Sequence, residues 1–293
     1  MMIEKRLVQW YAANAGVDLD IAEREVVLTY VMKVLCDAGL LAPLAFKGGT
    51  AIRKIFLGNQ GRFSLDLDFT MVSEITPEEF VLDVVSILQG QEHFGIIFDV
   101  RSEDYYASSD SCGVIVTYQH AWTTNGKFSF QVSFRSKPIL PVQPVGFIQE
   151  RYFEWLGIEP PLVPTLDLHE IIGEKIRASA QRSRIRDLYD LYQFATMKYD
   201  RNIVRRITIL KCWETNYAFD PLAFLRGLPG KHYDWADLER LIKHNKTLTP
   251  PVVFERIQQN YKFLVEMDED EAILASDPYC RERKTYLRLL SSF

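Results

Sequence analysis

From the order of its apolar and turn residues, the sequence predicts an α+β or α/β fold in which a small mixed sheet precedes a mostly helical C-terminal half. Three strand-like runs rich in β-branched and aromatic residues lie between Ile96 and Phe134. A proline-bearing stretch from Pro138 to Pro164 is expected to interrupt regular structure. After it, apolar residues follow helical spacing almost to the end. The predicted domains are a core with N-terminal helices, residues 1–150, and a helical domain, residues 151–293.

The N-terminal elements are expected to be helical. Apolar positions between about Asp18 and Ala38 follow helical spacing, and Gly39 supplies a stop signal. A shorter helix is predicted from Ala51 to Leu57, and the N-Q-G that follows is typical of a turn into a strand. These two helices flank the first motif that carries chemistry.

Later elements of the first half have clear boundary signals. Thr76 is a helix cap followed by a proline in the first turn, and the helix is expected to run to about Leu88 and to cover the sheet. The T-N-G at Thr124–Gly126 is predicted to be the hairpin turn between the last two strand-like runs.

The first motif is F-K-G-G-T, which leads into an amphipathic helical run that Thr50 is expected to begin. Two glycines there expose backbone N–H groups near the positive end of a helix, with Lys47 beside them, and such a turn can face an anion. Lys47, Gly48, Gly49 and Thr50 are therefore predicted to bind a nucleotide's phosphates. Taken alone, the motif is more typical of an ordinary turn, because short glycine motifs recur by chance.

The second motif is R-F-S-L-D-L-D-F, residues 62–69. The two-residue period of a strand places Ser64, Asp66 and Asp68 on one face and the apolar residues on the other. Two carboxylates about 6–7 Å apart would repel one another without a cation between them, so Asp66 and Asp68 are predicted to bind Mg²⁺ or Mn²⁺. Ser64 is predicted to contact a triphosphate oxygen. The alternative is a surface pair on an edge strand.

A metal site beside a phosphate site is the minimal apparatus for phosphoryl or nucleotidyl transfer. Chemistry on a nucleoside triphosphate is therefore the leading interpretation of the two motifs together.

Two further motifs lie in the helical half, H-E-I-I-G-E-K-I-R-A from His169 and R-D-L-Y-D-L from Arg186. Helical spacing places Lys175 in an otherwise largely buried stripe, where an ammonium group favours a nearby anion. The alternative is that its stem packs and its charge reaches solvent. His169 is expected to be structural. A local RNA-binding patch is predicted from four cations near Lys175, against the alternative of a solvated helix face: Arg177, Arg182, Arg184 and Arg186.

Together these four motifs resemble the AbiEii/AbiGii nucleotidyltransferase toxins, which include the MenT-like enzymes of bacterial toxin–antitoxin systems. The resemblance spans roughly half of the chain. It implies a DNA-polymerase-β-like nucleotidyltransferase core that contains the glycine turn and the D-x-D strand. It also implies that later Lys and Asp positions, here Lys175 and Asp187, complete the catalytic site with Asp66 and Asp68.

The resemblance further implies transfer of nucleotides from a triphosphate to RNA, in MenT-like members to the 3′ end of tRNA, which blocks aminoacylation. A cognate antitoxin is the implied partner. Related transferases often have a third carboxylate on a following strand, but Gln131 stands at the position where we expect that acid. Asp187 then becomes the substitute for a general base. Two alternatives remain: transfer to a protein or small molecule, and a catalytically silent module that binds a partner.

Composition limits the remaining possibilities. A net charge of −5 argues against a protein widely covered with nucleic-acid-binding surface, so any RNA contact should be local. Four scattered cysteines without C-x-x-C spacing indicate neither a zinc site nor a disulfide framework. No signal-peptide pattern and no apolar run of about 18 residues is present. The prediction is a cytoplasmic protein without membrane contact.

Overall fold

The computed structural model describes residues 2–244 and 248–293 and confirms the α+β fold class, with a mixed sheet and many helices. These residues form two compact units. Unit 1 comprises the described residues within Met1–Pro138, Val142–Leu166 and Arg240–Asn245, and unit 2 those within Ile139–Pro141, Asp167–Glu239 and Lys246–Phe293. The division at residue 150 stays a prediction.

Unit 1 contains the sheet, which has nine strands in the described part of the chain. They are β1 Leu44–Lys47, β2 Asp66–Met71, β3 Glu92–His93, β4 Ile96–Asp99, β5 Tyr105–Ala107, β6 Ser111–His120, β7 Thr123–Ser133, β8 Gln143–Gly146 and β9 Leu162–Thr165. The order is β3-β4-β6-β7-β2-β1-β9-β8, and β5 pairs with β6. The β2–β7 and β1–β9 pairs are parallel, and the others are antiparallel, so the sheet is mixed as predicted.

Helices cover the apolar face of this sheet. Those of unit 1 are α1 Lys5–Ala15, α2 Leu19–Asp37, α3 Gly48–Ala51, α4 Pro77–Leu88 and α5 Arg151–Leu156. Phe80 of α4 lies 6.0 Å from Phe130 of β7, and Phe130 lies 5.0 Å from Phe69 of β2, measured between ring centroids. The predicted capping of α4 by Thr76 is confirmed, since its hydroxyl accepts from the Glu79 N–H.

The helix α2 confirms the helix predicted between Asp18 and Ala38. Every residue from Glu25 to Met32 is buried, so this helix is enclosed on all sides rather than on one stripe. Because Glu25 lies in this buried part of the helix, its carboxylate requires cationic partners inside unit 1.

The hairpin turn lies elsewhere than the sequence predicts. β6 and β7 do form a hairpin, but His120 pairs with Thr123, so the chain turns before the T-N-G, and Gly126 lies inside β7. The prediction of a turn at Thr124–Gly126 is therefore wrong. Gly126 is opposite Tyr118, and a Cβ atom there would overlap the Tyr118 ring. The glycine serves strand packing rather than a turn.

The proline-bearing stretch is also more regular than predicted. It contains β8, α5 and β9, and Pro144 of β8 lies opposite Pro164 of β9 in an antiparallel pair. The expectation of interrupted structure there is wrong. Because β8 is the last strand in the order, Pro144 can lie on the sheet edge, where its missing N–H is tolerated.

Unit 2 is helical, as predicted for the C-terminal half. Its helices are α6 Leu168–Gln181, α7 Ile185–Phe194, α8 Arg201–Trp213, α9 Pro221–Gly227, α10 Trp235–Glu239, α11 Pro250–Asn260, α12 Glu269–Ala275 and α13 Arg283–Leu290. A Cβ atom on Gly173 would lie 2.7 Å from Ile207 Cγ2, so glycine lets α6 approach α8 closely. The buried Glu170 on α6 lies 2.8 Å from Lys211 Nζ on α8. None of the helices in the described ranges combines the length and apolarity needed to cross a membrane.

Candidate active site

Strand pairing places the first two motifs side by side in unit 1. Lys47 of β1 lies opposite Asp68 of β2, and Asp68 lies opposite Gln131 of β7. In the same way Asp66 lies opposite Ser129 of β7. Side chains of paired residues share a sheet face, so these five residues define what we term the polar face.

The D-x-D strand has the predicted alternation. Leu67 and Phe69 are buried in the core, whereas Asp66 and Asp68 are half-buried on the polar face. The Asp66 Oδ1 atom accepts a hydrogen bond of 3.3 Å from the Ser129 N–H. Ser64 precedes β2 and is buried. The sheet therefore places both carboxylates on the polar face.

The glycine turn approaches these carboxylates so closely that glycine is required. Gly48 has a φ of +74°, and a Cβ atom on it would overlap the Asp68 carboxylate. A Cβ on Gly49 would lie 2.6 Å from Arg62 Nη2 and 2.7 Å from Ser64 Oγ. Carboxylate, guanidinium and hydroxyl groups thus converge on the bare backbone of the turn.

Arg62 is the site residue that the sequence reasoning missed. It opens the R-F-S motif but was not assigned a role, and its side chain is buried beside the turn, where Nη1 donates to the Phe63 carbonyl at 3.1 Å. A buried guanidinium against a glycine turn is suited to phosphate binding. The sequence signal that could have identified Arg62 is its position as the first residue of the R-F-S-L-D-L-D-F motif, two residues before Ser64.

Thr50 connects the turn to the strand. Its hydroxyl donates to the Asp66 carbonyl oxygen at 2.5 Å, and the residue is buried. The helix begins at Gly48, two residues earlier than predicted, so Thr50 lies within α3. Since a hydroxyl has one donor, a bond from Thr50 to a phosphate oxygen would replace the present one. Its role in phosphate binding stays a prediction.

A buried charge cluster follows the turn along the chain. The helix after α3 is a π-helix, Ile52–Leu57, and it directs the consecutive residues Arg53 and Lys54 inward. Lys54 Nζ lies 3.0 Å and Arg53 Nε 3.3 Å from Glu25 Oε1. Burial raises the pKa of Glu25, but Lys54 and Arg53 together hold it below its ordinary value. The carboxylate is therefore charged and shared by two cations.

Arg53 also fixes the chain between the two motifs. Its Nη1 atom donates to the carbonyl oxygens of Gly58 at 3.2 Å and Gly61 at 2.9 Å, and its guanidinium lies 3.6 Å from the Phe63 ring centroid. Arg53 thus links the buried cluster to the loop between the two motifs and to Phe63, which precedes the D-x-D strand.

The oxygen atoms on the polar face fit a small divalent cation. Mg²⁺ is usually bound by one or two carboxylates together with substrate phosphates, rather than by a complete protein cage. Asp66 and Asp68 supply two carboxylates, and Gln131 adds a neutral amide oxygen beside Asp68. In residues 2–244 and 248–293, no cluster of three or more His, Cys, Asp or Glu side chains is present. Closed metal sites of that kind are thus absent from the described chain.

Unit 2 brings Lys175 and Asp187 together. Lys175 Nζ on α6 lies 2.9 Å from Asp187 Oδ1 and 2.7 Å from Asp190 Oδ2, both on α7. Arg182 Nε donates to Asp187 Oδ2 at 2.7 Å. Burial raises the pKa of Asp187, but Lys175 and Arg182 hold it well below its usual range. The anion expected near Lys175 is therefore supplied by this chain's own carboxylates.

Three of the four arginines predicted to bind RNA have partners within unit 2. Arg177 donates to the Gln181 side chain, Arg182 to Asp187, and Arg186 forms a bidentate pair with Asp237. Arg184 is exposed just before α7. RNA binding by this group stays a prediction.

The histidine of the third motif is structural, as expected. His169 Nδ1 lies 2.7 Å from Asp167 Oδ1 at the start of α6, and Nε2 accepts from the Asp200 N–H at the start of α8. With Nε2 accepting, the ring proton lies on Nδ1 and is donated to Asp167. The ring therefore ties two helix N-termini together.

A family model and several solved structures resemble this chain. The model described as nucleotidyl transferase AbiEii toxin, Type IV TA system, matches residues 30–276. MenT4, a nucleotidyltransferase toxin from Mycobacterium tuberculosis H37Rv, is 26% identical over 99% of both chains, with a TM-score of 0.81. JHP933 from Helicobacter pylori is 18% identical, covers 85% of this chain and 95% of its own with a TM-score of 0.52, and shares the fold alone. Curated protein sequences gave no match.

Proposed function

Because this chain belongs to the AbiEii nucleotidyl transferase toxin family, we propose that it transfers nucleotides from a nucleoside triphosphate to the 3′ end of an RNA, with tRNA as the acceptor. Added nucleotides at that end would block aminoacylation and arrest translation. A cognate antitoxin is the partner that membership of a toxin–antitoxin family implies. The likeness to MenT4 over the whole chain supports the transferase assignment.

The triphosphate is proposed to bind at the glycine turn. Backbone N–H groups of Gly48 and Gly49 lie at the start of α3, and Arg62 and Ser64 lie against Gly49. Lys47 adds a cation next to Asp68. These donors suit the negative charge of a phosphate chain.

Asp66 and Asp68 are proposed to hold Mg²⁺ or Mn²⁺. When bound, the metal would neutralise charge that develops on the transferred phosphate. The acceptor hydroxyl attacks the α-phosphorus and loses its proton to water, the bond from the α-phosphorus to the oxygen that bridges to the β-phosphate breaks, and pyrophosphate leaves. Arg62 and Lys47 would stabilise the charge on that leaving group.

Lys175 is proposed, by family resemblance, to contact the triphosphate. Asp187 is proposed to hold Lys175 in position rather than to accept a proton, since a carboxyl group with a strongly lowered pKa is a weak base near neutral pH. In this proposal Asp187 acts on the position of Lys175 and is not the general base.

The observation that carries the proposal is the convergence of Asp68, Arg62 and Ser64 on the Gly48–Gly49 backbone. An ordinary turn does not require two glycines packed against a carboxylate and a guanidinium. A turn whose backbone N–H groups bind a triphosphate beside a metal site does require such a close approach.

The test is transfer of label to RNA. The purified protein is incubated with total RNA, Mg²⁺ and each labelled nucleoside triphosphate in turn. Asp66→Asn is compared with Asp83→Asn, which makes the same change at an exposed position of α4. We expect label on tRNA-sized bands with the wild-type protein and Asp83→Asn, and a loss of at least about a hundredfold with Asp66→Asn.

Two results would overturn the assignment. Equal labelling by Asp66→Asn and the wild-type protein would exclude the carboxylates from the chemistry. Label that enters protein or a small molecule but no RNA would show that the acceptor is not RNA, although the protein would still be a nucleotidyltransferase.

A further inference from the structure

One exposed aromatic residue on the polar face has no role in the chemistry proposed above. Tyr106 of β5 lies opposite Gly113 of β6, and its side chain is 38% exposed. A Cβ atom on Gly113 would lie 2.5 Å from the Tyr106 hydroxyl oxygen and 2.5 Å from the Phe130 carbonyl oxygen. Glycine at 113 therefore lets the phenol ring lie across β6.

The phenol reaches the immediate surroundings of the carboxylates. The side chain of Ser129, the residue opposite Asp66, lies close enough to the hydroxyl group to lower its pKa. Burial raises the pKa of Tyr106, and the nearby charges of Asp68 and Asp66 raise it further. The ring thus lies over Gly113 while part of its surface stays open to solvent.

A row of paired residues crosses the sheet through this position. It runs from Lys47 on β1 to Asp68 on β2, Gln131 on β7, Gly113 on β6 and Tyr106 on β5. Adjacent strands are about 4.8 Å apart, so the backbone of Tyr106 is about 14 Å from that of Asp68. The glycine turn and Tyr106 lie on opposite sides of the carboxylates.

The positions of the glycine turn and Tyr106 indicate from which side the RNA would approach a bound triphosphate. In nucleotidyl transfer the attacking and leaving oxygens are roughly in line, so the acceptor approaches from the side opposite the departing pyrophosphate. If the phosphates occupy the glycine turn, the acceptor comes from the side of β6 and β5. An exposed ring there, next to the half-exposed Ile115, offers a flat apolar surface for a base.

We propose that Tyr106 is the stacking platform for the terminal base of a single-stranded RNA acceptor, and that its hydroxyl group is not needed for stacking. This rests on the proposed function, whose acceptor side it specifies. Stacking tolerates any base, so Tyr106 sets the position of the RNA end rather than its sequence.

The test measures stacking without catalysis. A short single-stranded RNA with 2-aminopurine as its 3′-terminal base is titrated with the protein, without a triphosphate, and fluorescence quenching gives the affinity. We expect quenching with the wild-type protein and with Tyr106→Phe, which keeps the ring. With Tyr106→Ala we expect quenching to be lost and the dissociation constant of the RNA, measured by fluorescence anisotropy of a 5′-labelled copy, to rise roughly 5- to 150-fold.

A matched control is Tyr279→Ala, since Tyr279 is 71% exposed and lies in unit 2. It should quench like the wild-type protein, and thermal melting should show all variants folded. Undiminished quenching and affinity in Tyr106→Ala would overturn the proposal. So would equal losses in Tyr106→Phe and Tyr106→Ala, because the hydroxyl rather than the ring would then act.

The two proposals fail in different ways. RNA labelling by the wild-type protein together with unchanged stacking in Tyr106→Ala would overturn the role of Tyr106 alone. Absence of both RNA labelling and RNA binding in the wild-type protein would overturn the proposed function, and the role of Tyr106 with it.

Discussion

Asp68 and Gln131 lie directly opposite one another on the parallel strands β2 and β7. An amide oxygen can ligate a hard cation, but it adds no negative charge. Where the family resemblance leads us to expect a third carboxylate, this chain therefore has a neutral side chain. The proposed metal would depend on Asp66 and Asp68 for its charge compensation.

The substitution Gln131→Asp should strengthen metal binding at this position. A third carboxylate beside Asp68 adds one unit of charge at the proposed ion, so we expect the Mg²⁺ concentration for half-maximal nucleotidyl transfer to fall roughly tenfold. Gln119→Asp is the control, because it makes the same change on β6, away from Asp68. An unchanged Mg²⁺ requirement in Gln131→Asp would argue that the metal binds elsewhere.

Gly48→Ala should abolish activity through steric overlap with Asp68. The comparison is Gly39→Ala, because both glycines have nearly the same positive φ, +74° and +73°, while a Cβ on Gly39 would meet no atom within 4 Å. Gly39→Ala should lower the free energy of unfolding by about 1–2 kcal/mol and leave transfer unchanged. Gly48→Ala should lose at least about a hundredfold in transfer rate, since Asp68 must move. Equal activities in a transfer assay would contradict this explanation.

The sequence was sufficient to predict features governed by local rules. The alternation of Asp66 and Asp68 with the buried Leu67 and Phe69 follows from the period of a strand, and the cap at Thr76 follows from helix-end chemistry. Both are confirmed because no distant contact competes with them. The convergence of two motifs on one sheet could be expected from the family resemblance, but not from spacing.

Other features depend on residues distant in the chain. In the sequence Gly126 indicates a turn, but its small size is explained by Tyr118 on the opposite strand. Pro144 indicates the end of a strand, but it is tolerated because β8 lies at the sheet edge. Arg62 and Tyr106 gain their positions from packing against Gly49 and across Gly113. Single-sequence patterns do not contain these pairings.

Glu25→Gln should destabilise unit 1. The substitution keeps the side-chain shape but leaves Arg53 and Lys54 buried without the carboxylate that they share. Loss of one partner from a buried ion cluster costs about 3–5 kcal/mol, and we expect a decrease of that size in the free energy of unfolding by urea. Glu159→Gln, at an exposed position, should have no effect. A stability equal to that of the wild-type protein would show that the two cations need no anion.

Lys175→Met should destabilise unit 2 in a pH-dependent way. The substitution keeps much of the packing volume but removes the cation that contacts Asp187 and Asp190. Because the pKa of Asp187 is lowered in the folded protein, its contribution to stability is present above its unfolded pKa, about 3.9, and is lost as the pH falls through the folded value. At pH 7 we expect the free energy of unfolding to decrease by about 3–5 kcal/mol.

At lower pH the free energies of unfolding of Lys175→Met and the wild-type protein should differ less. Without Lys175, burial still raises the pKa of Asp187 while one of its two cations is gone, so protonation near pH 4 relieves the variant more than it relieves the wild-type protein. Urea unfolding at pH 7 and pH 4 measures the gap, with Lys198→Met as an exposed control. A gap that is the same at both pH values would mean that Lys175 stabilises the fold through packing of its stem rather than through charge.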